Sequence, residues 1–169
     1  KSPAKHKLGL PSDVPTIMFS SHSIDKKNPW KGGNDLLEIL RRMNNHATEK
    51  INFIVVGEGR LTELYSFSNF NIFYKGYIHN DEEMKDCLNA SDLFIYPTRA
   101  DNLPNVLVEA MACGTPCISF DIGGNSEIIK SGYNGFIMQP FDFDSFVENT
   151  RTLLFNKSKL MEFSRNCVL

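Results

Sequence analysis

The chain has 169 residues, of which 41% are hydrophobic and 22% charged, with 18 Lys and Arg against 20 Asp and Glu for a net charge of −2. A single domain of this size buries about two-thirds of its unfolded surface and needs no covalent staple. The composition excludes a disordered chain and a coiled coil. No apolar run approaches the ~18 residues of a membrane span, and the balanced charge lacks the basic footprint of a nucleic-acid partner.

In chain order, Lys1 to Lys7 (KSPAKHK) is a basic, linker-like opening with no initiator methionine and no secretory leader pattern. Thr16–Ser20 predicts a strand, and residues 34–43 a helix with apolar positions at Leu36, Leu37, Leu40 and Met43. Ile51–Val56 is a solid apolar run, the mark of a strand buried on both faces. A short helix is expected over 60–67, a strand over 71–74, a helix over 81–90 with acids in its first turn, and a strand over 93–96. A helix led by proline follows over 104–112, then strands over 116–120 and 135–138, and helices over 143–154 and 157–165. Alternation of this kind predicts an α/β fold, a single Rossmann-like, doubly wound parallel sheet of about six strands. Ligands of such sheets bind beyond the carboxyl ends of the strands, so the loops after each strand carry the candidates.

Four cysteines are too few for a disulfide framework, and Cys113 and Cys117 have no second Cys/His pair to make a metal site. Reduced thiols point to a cytoplasmic compartment. Histidines His6, His22, His46 and His79 lack ligand spacing, and there is no Asp-x-Asp motif. After the first strand, Lys31 precedes Gly32-Gly33 at a helix start, an arrangement suited to an anion, while Lys26 and Lys27 read as solvated. After the second, Gly57-Glu58-Gly59 is half of a dinucleotide fingerprint whose third glycine position holds Thr62. An NAD site is therefore rejected in favour of a tight turn on which a nucleotide base could rest.

The loop after the fourth strand is richest. Asp101 lies just before the helix and Glu109 inside it, among Val106, Leu107, Val108, Ala110 and Met111. A carboxylate in such a run faces solvent or a polar partner, and Asn105 shares its face four positions earlier. Two side-by-side acceptors suit a vicinal diol, and free N–H groups at Asn102, Leu103 (with Pro104 between) and Asn105 suit an anion; the plain reading is an exposed helical glutamate. After the fifth strand, Gly123-Gly124-Asn125-Ser126-Glu127 reads as a glycine turn and a capped short helix.

Together these loops resemble the carboxyl-terminal, nucleotide-sugar-binding half of a GT-B glycosyltransferase of the group 1 class. The match keeps its order from Lys31-Gly32-Gly33 through Val56-Gly57-Glu58-Gly59, Tyr74-Lys75-Gly76-Tyr77-Ile78, Ala90 to Thr98, Leu103 to Pro116, Gly123 to Ile129 and Gly132 to Ile137. The resemblance implies that residues 1–14 are linker from a missing N-terminal domain and 15–169 the donor-binding domain. The family's E-x7-E motif reads Asp101-x7-Glu109 here, which implies Glu109 on the ribose diol and Asp101, with the amides of 102–105, on the donor sugar. Lys31 matches a phosphate-clamping lysine, whereas the usual Gly-Arg after the first strand is Ser21-His22. The turn at Gly76-Tyr77 resembles a base-contacting turn. The implied partners are a nucleoside-diphosphate sugar and a saccharide or lipid-linked acceptor held by the absent half. No obligatory metal is implied, and the pathway would be bacterial surface-polysaccharide synthesis at the inner face of the membrane. Retention of configuration, by front-face attack, needs no enzymic nucleophile. Two alternatives stand beside it: one half of a GT-B sugar-nucleotide epimerase, and a non-catalytic nucleotide-binding α/β module.

Overall fold

The computed structural model describes residues 1–24, 29–46 and 48–168; the loop lysines Lys26 and Lys27 lie outside them. Six parallel strands form one sheet in the order β3-β2-β1-β4-β5-β6: β1 (Thr16–Ser23), β2 (Ile51–Glu58), β3 (Phe70–Gly76), β4 (Leu93–Tyr96), β5 (Cys117–Phe120) and β6 (Gly135–Met138). The helices are α1 (Ser2–Lys7), α2 (Gly33–His46), α3 (Asp81–Ala90), α4 (Asn105–Ala112), α5 (Asn125–Ile128), α6 (Phe143–Phe155) and α7 (Lys157–Cys167). The doubly wound parallel sheet read from the sequence is the fold observed.

Alternation along the strands builds a core on each face of the sheet. Ile17, Phe19, Phe53 and Val55 pack with Leu36, Ile39 and Leu40 of α2 and Phe146 of α6. Met18, Ile54, Val56 and Phe94 pack on the opposite face with Leu88 of α3 and Leu107 of α4. The inner strands β2, β4, β5 and most of β1 are therefore buried on both sides, which is why they read as nearly unbroken apolar runs, whereas the edge strands β3 and β6 are only partly buried. Asn156 ends α6 and caps α7 by accepting from the Lys159 amide at 3.0 Å.

Three expectations change. The segment 60–67 forms a 3-10 turn over Thr62–Ser66, closed by the Ser66 hydroxyl on the Glu63 carbonyl, rather than an α-helix. Strand β1 runs on to Ser23, with an irregularity in its pairing to β2 between Ser20 and Ser23. The opening residues read as linker are docked: they contain α1, and Lys5 is buried beneath the sheet. Its ammonium donates to Asp92 Oδ2 at 2.7 Å and to the Val14 carbonyl at 2.9 Å, and the same Asp92 oxygen accepts from the Thr16 amide at 2.8 Å. The underside is closed further by Asn52, whose side-chain amide donates to the Pro11 carbonyl at 3.1 Å.

Removing one partner of a buried ion pair leaves the other desolvated, so Lys5→Met is expected to destabilise the fold by about 3 kcal/mol. Urea unfolding measures it. A loss well below 1 kcal/mol would mean that α1 does not dock in solution.

Candidate functional site

Strand order reverses between β1 and β4. The chain leaving β1 passes to α2 on one face, and the chain leaving β4 passes to α4 on the other. No helix crosses the gap, so a cleft opens at the carboxyl ends of these two strands. It measures about 320 Å³ and is lined by Ser20, Ser21, His22 and Lys31 on one wall, with Tyr96, Asp101 and the start of α4 from Leu103 to Val106 on the other.

The cleft walls are held by backbone contacts that only glycine permits. Gly32 has φ +73°, and a Cβ there would stand 2.1 Å from the Pro97 carbonyl oxygen. Gly57, at φ +140°, would place one 1.9 Å from the Ser21 carbonyl oxygen. Gly123, at φ +56°, would place one 1.7 Å from that of Asp101, and the Gly124 amide donates to the Asn102 carbonyl at 2.7 Å. Gly57 thus lets the ends of β1 and β2 press together, and the glycines after β1 and β5 let loops from separate strands touch backbone to backbone.

A second brace comes from Arg99. Its guanidinium makes a two-pronged bond to Asp35 of α2, at 2.6 Å and 2.7 Å, and lies 5.0 Å from the centre of the Phe141 ring. Asp35 is 2% exposed, and its hydrogen bonds, then its charge, hold the guanidinium above its ordinary pKa. The Arg99 amide and the Thr98 hydroxyl both donate to the Trp30 carbonyl, at 3.0 Å and 3.2 Å. This joins the turn carrying Lys31 to the loop carrying Asp101. The sequence reading did not single out Arg99; an acid in the first turn of α2 and an arginine two positions before Asp101 were its only traces.

Within the cleft, the Tyr96 hydroxyl donates to Asp101 Oδ2 at 2.7 Å. Burial, then the neighbouring Asp101 carboxylate, pushes the Tyr96 hydroxyl far above its ordinary pKa, so it stays a donor. Among the described residues no carboxylate forms an ion pair with Lys31, which is part-buried on the facing wall. Pro104 precedes α4, and its side chain supplies no cap. The first amides of α4 therefore point toward the cleft with the positive end of the helix.

Of the predicted site residues, His22, Lys31, Asp101, Leu103, Pro104 and Asn105 meet on this cleft. Asn102 is exposed beside it, its carbonyl engaged by Gly124. Glu109 does not share it. Glu109 is exposed on a neighbouring groove with Ile78, Asn80 and Met84. Tyr77 links the two regions, standing edge-on to His22 at 5.3 Å and 4.6 Å from His79. Gly57 is buried against Ser21, while Gly59, in the bend after β2, and Gly76, which ends β3, are exposed. Among the described residues no three His, Cys, Asp or Glu gather as metal ligands, and no helix is long and apolar enough to cross a membrane.

Gly123→Ala should cost about 2–4 kcal/mol, because it combines a positive φ with a backbone clash. Gly76→Ala, at φ +68° with open space around it, should cost only about 1 kcal/mol. Equal denaturation midpoints for the two variants would refute the close contact at Asp101.

Comparison with known proteins agrees with this architecture. The family described as "Glycosyl transferases group 1" matches residues 14–156. A UDP-Gal:alpha-D-GlcNAc-diphosphoundecaprenol alpha-1,3-galactosyltransferase of Escherichia coli is 31% identical over 130 residues, covering 73% of this chain and 33% of that protein. Sucrose-phosphate synthase from Thermosynechococcus elongatus superposes with a TM-score of 0.83 at 20% identity, over 99% of this chain and 43% of the other. Anabaena HepE, solved in complex with UDP-glucose, gives 0.78 at 21% identity, over 99% and 46%. The chain thus spans about a third of the length of the E. coli relative.

Proposed function

The chain belongs to the group 1 glycosyl transferases, and on that premise we propose that it is the donor-binding half of a retaining sugar transferase. The observation that carries the reading is the cleft between β1 and β4. An ammonium with no carboxylate partner among the described residues, a carboxylate and the opening of α4 converge there at the end of a parallel sheet. The solution of HepE with UDP-glucose and the naming of the E. coli relative for UDP-Gal support a nucleoside diphosphate sugar as ligand.

In this reading the diphosphate lies between Lys31 and the first turn of α4, with His22 beside it. Asp101 and the amides at Asn102, Leu103 and Asn105 receive the sugar. The nucleoside extends past Tyr77 toward the neighbouring groove, where Glu109 accepts from the two ribose hydroxyls and the Gly76-Tyr77 turn meets the base. Transfer breaks the anomeric C–O bond, and the electron pair stays on the departing phosphate oxygen. An acceptor hydroxyl attacks the same face, forms the new C–O bond and gives its proton to that oxygen. Lys31 and the helix dipole stabilise the growing phosphate charge, so the reading calls for no obligatory metal. The acceptor, a saccharide or a lipid-linked sugar, is held by the rest of the full-length protein, which works at the inner face of the membrane in surface-polysaccharide synthesis.

Calorimetric titration of the chain with UDP, GDP and ADP tests the reading. Half of the cleft is expected to lie on another domain, so one nucleotide should bind weakly, with Kd on the order of micromolar to millimolar. Lys31→Ala should then weaken it about tenfold or more, the usual worth of a hydrogen bond to a charged group, at an unchanged melting temperature. Glu109→Gln should also lose about tenfold if Glu109 holds the ribose; as mere helix surface it would change nothing beyond about 0.5 kcal/mol. No heat and no melting shift with any of the three nucleotides at millimolar concentration defeats the donor-site reading.

A further inference from the structure

Tyr96 closes β4 and is held from behind. The Ser119 hydroxyl donates to the Tyr96 carbonyl at 2.6 Å, and Ser119 in turn accepts from the Asn125 side-chain amide at 2.8 Å. Both Ser119 and Asn125 are fully buried. The Tyr96 ring stacks on Phe94 at 6.1 Å and is 6% exposed, yet its edge forms part of the cleft. A buried phenol needs a partner for its hydroxyl, and this one reaches Asp101 Oδ2 at 2.7 Å. Asp101 Oδ1 has no protein partner among the described residues, and the side chain is only half-buried on the cleft wall. One oxygen of the carboxylate is therefore engaged by the scaffold, and the other is left for a ligand.

We propose that Tyr96 is a positioning and specificity-determining residue, which orients Asp101 so that its free oxygen accepts from a hydroxyl of the bound sugar. The proposal rests on the reading of the cleft as a donor site and assigns the sugar selectivity within it. A free aspartate turns about two side-chain torsions and accepts from donors over a wide arc. Clamped by Tyr96, it presents one oxygen at a fixed place and discriminates sugars by where that hydroxyl stands on the ring. The diphosphate and nucleoside do not depend on this bond.

The experiment compares UDP, UDP-glucose and UDP-galactose on the parent chain, Tyr96→Phe and Asp101→Asn, by calorimetric titration with melting temperatures recorded alongside. Tyr96→Phe keeps the ring and removes only the hydroxyl. It should weaken the better-bound sugar nucleotide by about three- to tenfold, narrow the difference between glucose and galactose, and leave UDP within about twofold. Asp101→Asn should produce the same pattern, and the double variant should be no worse than either single one, because the two groups act as one unit. Equal weakening of UDP and the UDP-sugars, no change in any of them, or additive losses in the double variant overturns the role of Tyr96. Should Tyr96→Phe fail to fold, unchanged glucose-to-galactose discrimination in Asp101→Asn overturns it as well. No binding of UDP, GDP or ADP by the parent would remove the donor-site reading first, and this proposal with it; where GDP or ADP is the nucleotide bound, its sugar conjugates take the place of the UDP-sugars.

Discussion

The reversal of strand order between β1 and β4 is the constraint on which the rest of the molecule depends. Neighbouring parallel strands whose following helices go to opposite faces leave their carboxyl ends uncovered. The chain fills the resulting gap with loops instead of a helix, and these loops have no core of their own. They are fixed by contacts between backbones: Gly32 against Pro97 and Gly123 against Asp101 each join the loop of one strand to that of another, while Gly57 against Ser21 presses the ends of β2 and β1 together beneath them. Rigidity at the cleft thus comes from glycine and close approach, whereas rigidity below it comes from interleaved apolar side chains.

Charge is divided in a corresponding way. Arg99 and Asp35 neutralise each other across the gap, and Lys5 and Asp92 do so beneath the sheet. These pairs serve architecture. Lys31 and one oxygen of Asp101 stand on the cleft with no ionic partner among the described residues. A group kept unpaired in a partly dry site contributes little to stability and much to an incoming ligand, because its hydrogen bond is made only on binding. The Arg99–Asp35 bond then matters to Lys31 indirectly: it ties the turn before α2 to the loop after β4, which sets how far apart the two cleft walls stand.

What the sequence discloses follows from the range over which each interaction acts. The six strands and the larger helices are legible because apolar runs and 3.6-residue periodicity are local signals. Helix α1 is not, since Ser2–Lys7 has no apolar stripe and is held by a lysine whose partner stands 87 positions later. Lys31, Asp101 and Asn105 are legible from glycines and a helix start, and they do meet. Glu109 is harder: a carboxylate among apolar neighbours suggests a cleft or water, and the structure gives water and a separate groove. Tyr96 and the Arg99–Asp35 pair escape notice because a tyrosine ending an apolar strand looks like core, and a pairing across 64 positions leaves no periodic trace.

The first acid of the pattern is where this chain departs from the glutamate of the family it resembles, and Tyr96 gives that departure a physical sense. An aspartate carries its carboxylate one methylene closer to the backbone and has one torsion fewer to freeze. Fixing it against the hydroxyl of a buried tyrosine, whose backbone carbonyl accepts from Ser119, therefore demands less conformational entropy than fixing a glutamate at the same place. The gain is a preorganised acceptor, which loses little on binding. The loss is reach, so in the proposed reading the loop must come to the donor. The two glycines that press the backbone of Asp101 and Asn102 against the loop after β5 accomplish this by fixing the height of the loop above the sheet. The short acid, the tyrosine and the double glycine are thus one arrangement, in which the position of the carboxylate is decided by the backbone and its orientation by a single hydrogen bond.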